Sequence, residues 1–228
     1  MLIALLAAVQ AQAGGIRDFL LSEPGVVFRT LPQAARAGLV ANAELGKSRT
    51  TEATNRMGNT SKIDTLTTDY VAVQLSGSSS VALKMLNKGK ADTVIAVIET
   101  VSTPARDSRI TFYDTRWKQL PAKKCIKQLP AMRDFFKPTT PKNKLNELLG
   151  DIDFQLIELQ WTGAGFNTLT ATHSLKSFYS KEDYQKWAPY LVDTITYHIE
   201  GTTLKPDKPL LPHPNEVPLK CPLLGSGE

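Results

Sequence analysis

The run from Leu66 to Trp117, LTTDYVAVQLSGSSSVALKMLNKGKADTVIAVIETVSTPARDSRITFYDTRW, constrains this chain more than any other. It breaks into short segments rich in β-branched residues, separated by turn-forming clusters, and strands joined by so little chain pair as antiparallel neighbours. Tyr70 to Leu75 alternates, with Tyr70, Ala72 and Gln74 on one face and Val71, Val73 and Leu75 on the other. A period of two marks a strand with one buried face. After the turn-rich Gly77 to Ser80, a second strand runs from Val81 to Leu86, and Asn87 to Asp92 makes a hairpin loop around Gly89. Thr93 to Val101, TVIAVIETV, is the most apolar run. It reads as the central strand, buried on both faces for part of its length, and Pro104 ends it because proline cannot donate to a ladder. Arg109 to Tyr113 returns as a fourth strand, and Asp114-Thr115 turns the chain towards Trp117.

The flanks complete an α+β pattern. Ile16 to Asn55 is predicted mostly helical: Pro32 suits a first helical turn, Gly46 suits a C-terminal cap, and Leu31, Ala35, Leu39 and Ala43 form a narrow apolar stripe. Gly58-Asn59 then marks a turn before Ile63 to Leu66 starts the sheet. Pro121, Pro130, Pro138 and Pro141 predict an irregular connector over 119–141, with Phe135 and Phe136 pinning it to a core edge. A short helix over Lys142 to Leu149 leads into a second β group, with strands at Phe154 to Trp161 and Thr168 to Leu175 around the turn Thr162 to Gly165. Ser180 and Asp183 resemble a capping box for a late helix carrying Tyr184, Trp187 and Leu191 on one face, stopped or kinked by Pro189. Thr194 to Glu200 reads as the last strand, closed by Gly201. The expected fold is therefore antiparallel meander sheets packed with an N-terminal helix and a late helix, either as one continuous sheet or as two subdomains meeting near 119–141.

The two ends differ from this body. Leu2 to Val9 is an apolar run of signal-peptide length and Ala11-Gln12-Ala13 fits a cleavage site, although the usual preceding basic residues are missing. The expectation is a signal peptide over 1–13, a domain over 14–203 and a periplasmic or secreted product; the alternative is the buried first turn of an N-terminal helix. The run is too short to span a bilayer. From Leu204, Pro206, Pro209, Pro212, Pro214, Pro218 and Pro222 recur with little periodicity, which predicts an extended or disordered tail over 204–228, or else a proline-rich ligand for an aromatic groove.

The net charge is +5 over 228 residues, and the densest basic runs are Lys123-Lys124 and Lys142 to Lys144. Such dispersed charge is a solvated surface, not the basic patch with interleaved aromatics that a nucleic-acid binder concentrates. Of the three histidines, His173, His198 and His213, none pairs at helical metal-ligand spacing, and the expected role of His173 and His198 is as isolated polar residues on the solvent face of the second sheet. The serines at 76–80 fit a hairpin turn, and Gly163 with Gly165 fits turn geometry. Asp107, Asp114 and Glu158 could form a glycosidase-type carboxylate pair, as could many pairs drawn from 22 acids. No catalytic, cofactor-binding or metal-ligating residue is assigned.

Taken together, LTTDYVAVQLS, VALKML, VIAVIETV and PARDSRITFYDTRW, followed by SKEDYQKWAPYL and TITYHIEG, resemble an uncharacterised family of secreted Bacteroidales proteins, the domain of unknown function numbered 3256. The resemblance spans roughly 29–201 and implies an exported α+β protein of unassigned activity, with no functional residues to carry over. Cys125 and Cys221 either pair in an oxidising compartment or stand as two thiols; a disulfide closing a loop of roughly a hundred residues contributes about 4–5 kcal/mol in the chain-entropy picture. Thr65, Thr93 and Thr194 each follow Asp and precede an apolar residue. The triplets look like O-glycosylation acceptors of exported proteins in the same bacterial group, though Asp and Thr are frequent at strand entries anyway. The functional expectation is a non-enzymatic module that binds an envelope protein through a sheet face or edge. The alternative is a small-ligand carrier or hydrolase whose site is assembled across strands.

Overall fold

The computed structural model describes residues 15–44, 52–87 and 89–211. The signal-like segment, Gly46, His213, Cys221 and the prolines from Pro212 onward lie outside the described residues.

Two helices, α1 (Ile16–Ser22) and α2 (Gln33–Glu44), precede a meander of seven strands. These are β1 (Glu52–Thr54), β2 (Thr60–Leu66), β3 (Tyr70–Ser76), β4 (Ser79–Leu86), β5 (Val94–Val101), β6 (Asp107–Tyr113) and β7 (Gln119–Leu120), each hydrogen-bonded to the next in chain order. A connector with two single 3-10 turns leads to α3 (Lys142–Gly150), then β8 (Ile157–Thr162) and β9 (Thr168–His173). Two short helices, α4 (Leu175–Phe178) and α5 (Lys181–Trp187), bring the chain to β10 (Thr194–Glu200) and β11 (Thr203–Pro206). The last four strands form a second antiparallel sheet, ordered β11-β10-β9-β8.

Side-chain alternation turns this topology into three layers. On β5, Ile95 and Val97 join one core with α1 and α2, whereas Val94, Ala96 and Ile98 join another with the four-stranded sheet. Successive strand residues point to opposite faces, so the seven-stranded sheet is sandwiched between a helical layer and the second sheet. This explains why TVIAVIETV is apolar on both faces: β5 lies one place from the sheet's middle and is covered on each side.

The connector lies inside, not at the margin. Met132, Phe135 and Phe136 are buried in the core between the sheets, so the two phenylalanines fill the centre that the sequence reading placed at an edge. Its backbone groups are paired across the core: Val192 N–H donates to Phe135 O at 2.7 Å, and Leu204 N–H to Cys125 O at 2.7 Å. Buried irregular backbone requires such partners.

The hairpin between β8 and β9 locks the second sheet onto the first. Gly163 (φ 77°) and Gly165 (φ 71°) supply the left-handed turn, and Phe166 from the same loop stacks on Tyr70 with ring centroids 4.0 Å apart. Lys84, on β4, is buried at that contact; its Nζ donates to Asp69 Oδ2 and to Gly165 O, each at 2.8 Å.

Two expectations are corrected. Thr194 to Glu200 is not the last strand, because Gly201 (φ 60°) turns the chain into β11, whose Leu204 is buried in the shared core. Ordered contacts continue to Leu211, whose N–H donates to Asp134 Oδ1 at 3.0 Å and whose carbonyl accepts from Gln128 Nε2 at 2.9 Å. The stretch 204–211 is thus folded, where the prolines suggested that a tail begins. Second, Glu52–Thr54, inside the predicted helical span, is a short edge strand. The cap of α5 is as expected: Ser180 Oγ accepts from Asp183 N–H at 3.1 Å.

Candidate functional site

The loop joining α1 to α2 builds a surface cleft of about 430 Å³. Glu23, just beyond α1, is turned inward. Its Oε1 accepts from Val27 N–H at 2.8 Å and its Oε2 from Phe28 N–H at 3.3 Å, which folds the loop around the carboxylate. Arg36, in the first half of α2, sits on the same helical face as Leu39 and Val40 and is buried with them. Its Nη1 lies 3.3 Å from Glu23 Oε2 and donates to Leu31 O at 3.0 Å, while Nη2 donates to Glu23 O. The guanidinium lies 5.5 Å from the Phe28 ring centroid, within cation–π range. Arg36 Nε, also buried, has no acceptor among the described residues. Burial pulls the Arg36 pKa below its ordinary value, and Glu23 opposes that shift.

Two further arginines reach the cleft from outside. Arg29 is exposed and anchored by Nε donating to Val26 O at 3.1 Å. Arg56 comes from the turn before β2, which Asn55 organises: Asn55 Oδ1 accepts from Met57 N–H and Asn59 N–H, and its Nδ2 donates to Leu75 O. Arg56 N–H donates to Thr30 O at 2.8 Å, tying that turn to the α1–α2 loop. Neither Arg29 nor Arg56 forms an ion pair among the described residues. Val26 and Met57, each next in sequence to a lining residue, are exposed apolar side chains.

The chemistry of this cleft is fixed by its lining. Among the described residues its titratable groups are three arginines and Glu23. Arginine stays protonated in proteins, and Glu23 already accepts from two N–H groups and a guanidinium. The cleft can therefore hold an oxyanion by planar, charge-assisted hydrogen bonds.

The residues singled out from the sequence fall elsewhere. Cys125 is buried, and burial pushes its thiol pKa up; its expected partner, Cys221, lies outside the described residues. Thr93 is 3% exposed, and its hydroxyl donates to Asn87 O and Lys90 O, so a glycan there requires the loop to open. Thr65 is half-buried in β2 and Thr194 is exposed at the start of β10. His173 and His198 are on opposite faces of the second sheet, with His198 opposite Thr168 in register. His198 is exposed and pairs with Asp207 at 2.6 Å, but His173 is buried against Phe135 and Tyr184, contrary to the expectation of a solvent-facing residue. Asp107 accepts from Ile157 N–H, Glu158 pairs with Arg106, and Asp114 accepts from Arg116 and Lys118 N–H in the turn after β6. Each of the three carboxylates is thus engaged with a partner of its own, Asp107 and Glu158 on adjoining residues between β6 and β8 and Asp114 in its turn. The serines at 76–79 bond locally, with Ser76 Oγ and Ser79 Oγ 2.8 Å apart. Among the described residues, no group of three or more His, Cys, Asp or Glu is placed to hold a metal ion.

The fold and cleft define a three-layer α+β protein with a cationic surface site on its helical layer. The chain belongs to the family described as protein of unknown function DUF3256, whose sequence profile matches residues 8–203. A solved domain of an uncharacterised protein from Porphyromonas gingivalis W83 has the same fold, with a TM-score of 0.72 at 22% identity, covering 85% of this chain and 98% of that one. None of the curated proteins matches. No helix among the described residues is long and apolar enough to cross a membrane.

Proposed function

We propose that this protein is an exported, non-enzymatic binding module that takes an acidic segment of an envelope protein in the arginine-lined cleft. The observation that carries the reading is the cationic lining of that cleft: among the described residues Arg29 and Arg56 form no ion pair, and Glu23 already accepts from two N–H groups and the Arg36 guanidinium. A site of this composition is suited to recognise negative charge and poorly suited to acid–base catalysis. Exposed Val26 and Met57 add apolar contact beside the charges, as in interfaces where a few apolar anchors are flanked by steering cations. The signal-like 1–13 segment supports export.

The binding claim is tested by calorimetric titration of the chain with an acidic peptide of alternating Glu and Leu and with the same peptide carrying Gln for Glu. The acidic peptide binds the native chain, weakens with added salt, and loses at least about tenfold in affinity to Arg29→Glu/Arg56→Glu, because two attractive charges become repulsive. Equal affinity of native and doubly reversed chains overturns the reading. Export is tested by N-terminal sequencing of protein recovered from its native cells: a chain beginning at Gly14 in the envelope fraction is expected, and a cytoplasmic chain beginning at Met1 rejects it.

A further inference from the structure

Three large apolar side chains are exposed among the described residues. Val26, 46% exposed, and Met57, 71% exposed, flank the arginine-lined cleft. The third, Phe154, is 54% exposed and stands in the loop that joins α3 to β8. That loop begins Asp151-Ile152-Asp153-Phe154. Asp151 and Asp153 are exposed, and neither carboxylate makes a hydrogen bond or ion pair among the described residues. Lys144 and Lys186 feel the Asp151 charge but are bonded elsewhere, to Glu147 at 2.6 Å and to Asp183 at 2.7 Å. The loop is thus an acidic tip with one apolar side chain, and the cleft is a basic hollow with two.

The tip is fixed in place. Ile152, between the two aspartates, is buried in the core with Leu148. Phe154 N–H donates to Tyr179 Oη at 3.1 Å, and the Phe154 ring meets Phe178 edge to face with centroids 5.4 Å apart. A segment held this way loses little conformational freedom on contact. The tip and the cleft lie on opposite sides of the seven-stranded sheet. Phe28 and Leu31, which line the cleft, belong to the core beneath the helices, whereas Ile152 belongs to the core shared with the second sheet. The layers therefore keep a chain's tip away from its own cleft. Between copies the match is close: two exposed carboxylates meet two exposed arginines that form no ion pair, with apolar side chains beside both.

We propose that the acidic segment taken by the arginine-lined cleft is the 151–154 loop of a second copy of this chain, with Asp151 and Asp153 facing Arg29 and Arg56, and Phe154 packed beside Val26 and Met57. The inference rests on the cleft being a site for acidic segments, and it names the occupant. A contact between two different patches is heterologous, so a copy that fills its neighbour's cleft leaves its own cleft open to the next, and the copies join head to tail. One loop tip in one cleft falls short of a standard interface of about 1,600 Å², which places self-association at about 10 µM to 1 mM.

Sedimentation equilibrium tests this with the native chain and two variants. The native average mass rises past that of a dimer as the chain is concentrated through about 10 µM to 1 mM, and falls with added salt. Arg29→Glu/Arg56→Glu removes the cleft's charge, and Asp151→Asn/Asp153→Asn/Phe154→Ala removes the tip. All five positions are exposed, and circular dichroism of both variants matches the native chain. Each variant alone associates at least about tenfold more weakly than the native chain. Mixed in equal amounts they form a heterodimer and nothing larger, because one intact cleft meets one intact tip. A native chain that stays monomeric throughout overturns the proposal, as does native-like association of either variant or a mixture that forms no heterodimer. Titration with the acidic peptide separates the two readings. Peptide binding by a chain that stays monomeric removes the second copy as occupant and leaves the cleft's preference for acids standing, whereas a chain that neither binds the peptide nor associates removes both.

Discussion

Arg36→Met isolates the energetics of the helical layer. The side chains of Arg36 and Glu23 are 3% and 0% exposed, so neither charge is hydrated once its partner is gone. Methionine keeps most of the buried stem and deletes the guanidinium, removing one ion pair and two hydrogen bonds, to Leu31 O and Glu23 O. Glu23 retains the Val27 and Phe28 N–H groups, which soften the loss without supplying a counter-charge. Breaking a buried pair on one side costs about 3–5 kcal/mol. For a chain of this size that lowers Tm by roughly 6–20 °C. Glu23→Gln on the Arg36→Met background removes the stranded charge, so the double variant is more stable than the sum of the two single losses by at least about 1 kcal/mol. Urea unfolding of the four chains, read by circular dichroism and tryptophan fluorescence, measures the cycle. A cost for Arg36→Met below about 1 kcal/mol, the level of a surface pair, refutes the assignment of a desolvated pair.

Three further outcomes follow from the layers. Burial lowers the His173 pKa, with Asp193 opposing, and Phe135 and Tyr184 offer its ring no hydrogen bond; the unfolded chain therefore protonates first, and stability present above about pH 6.5 is lost on acidification by up to about 1.4 kcal/mol per pH unit. Urea midpoints measured down to about pH 5 show that slope and lose it in His173→Phe; Asp107, raised by burial, acts from the ordinary carboxylate pKa upward with the opposite sign, gaining stability on acidification, so a native slope in His173→Phe refutes the assignment. Lys84→Met costs about 1–3 kcal/mol, less than Arg36→Met because Asp69 is 29% exposed and rehydrates; a loss as large as that of Arg36→Met counts against this difference. Cys125, buried with its pKa raised, reacts with a thiol reagent at the rate of chain opening, and rapid labelling of the native Cys221→Ser chain contradicts its placement.

The meander was legible because its signals are local. Each of β3 to β6 has a period of two or a β-branched apolar run, and the turns between them carry Gly, Ser, Asn or Asp. The strands that escaped are edges. Glu52-Ala53-Thr54 is three residues long, and β11 ends on Pro206, which is tolerated only where no ladder bond is required of its nitrogen. These two, and β7 at the start of the predicted connector, are held by pairing with a neighbour, through Lys62 to Thr60 for β1, Phe112 and Tyr113 for β7, and Tyr197 to Glu200 for β11, and pairing is not written into any of the three segments. The connector failed for a related reason: its prolines correctly deny regular structure, but they say nothing about burial, which Met132, Phe135 and Phe136 decide by filling the space between two sheets distant in sequence.

The arginine-lined cleft was less legible because its groups converge only in three dimensions. Glu23, Arg36 and Arg56 are separated by 13 and 20 positions, and arginine is ordinarily a surface residue. One trace was present: Arg36 precedes Leu39 and Val40 by three and four positions, which puts a charge on the buried face of α2 and demands a buried counter-charge. Phe154, read from the sequence as the start of a strand, falls before β8 begins at Ile157 and does not enter the sheet. The cleft forms where the chain leaves a regular element, at the end of α1, on a loop that a rigid scaffold holds in place. The periodic interior specifies the layers by packing, and packing leaves no unpaired donor or uncompensated charge without cost. Arg36 Nε departs from that rule beside an open surface, where Arg29 and Arg56 add positive charge, and not on the covered faces of the sheets.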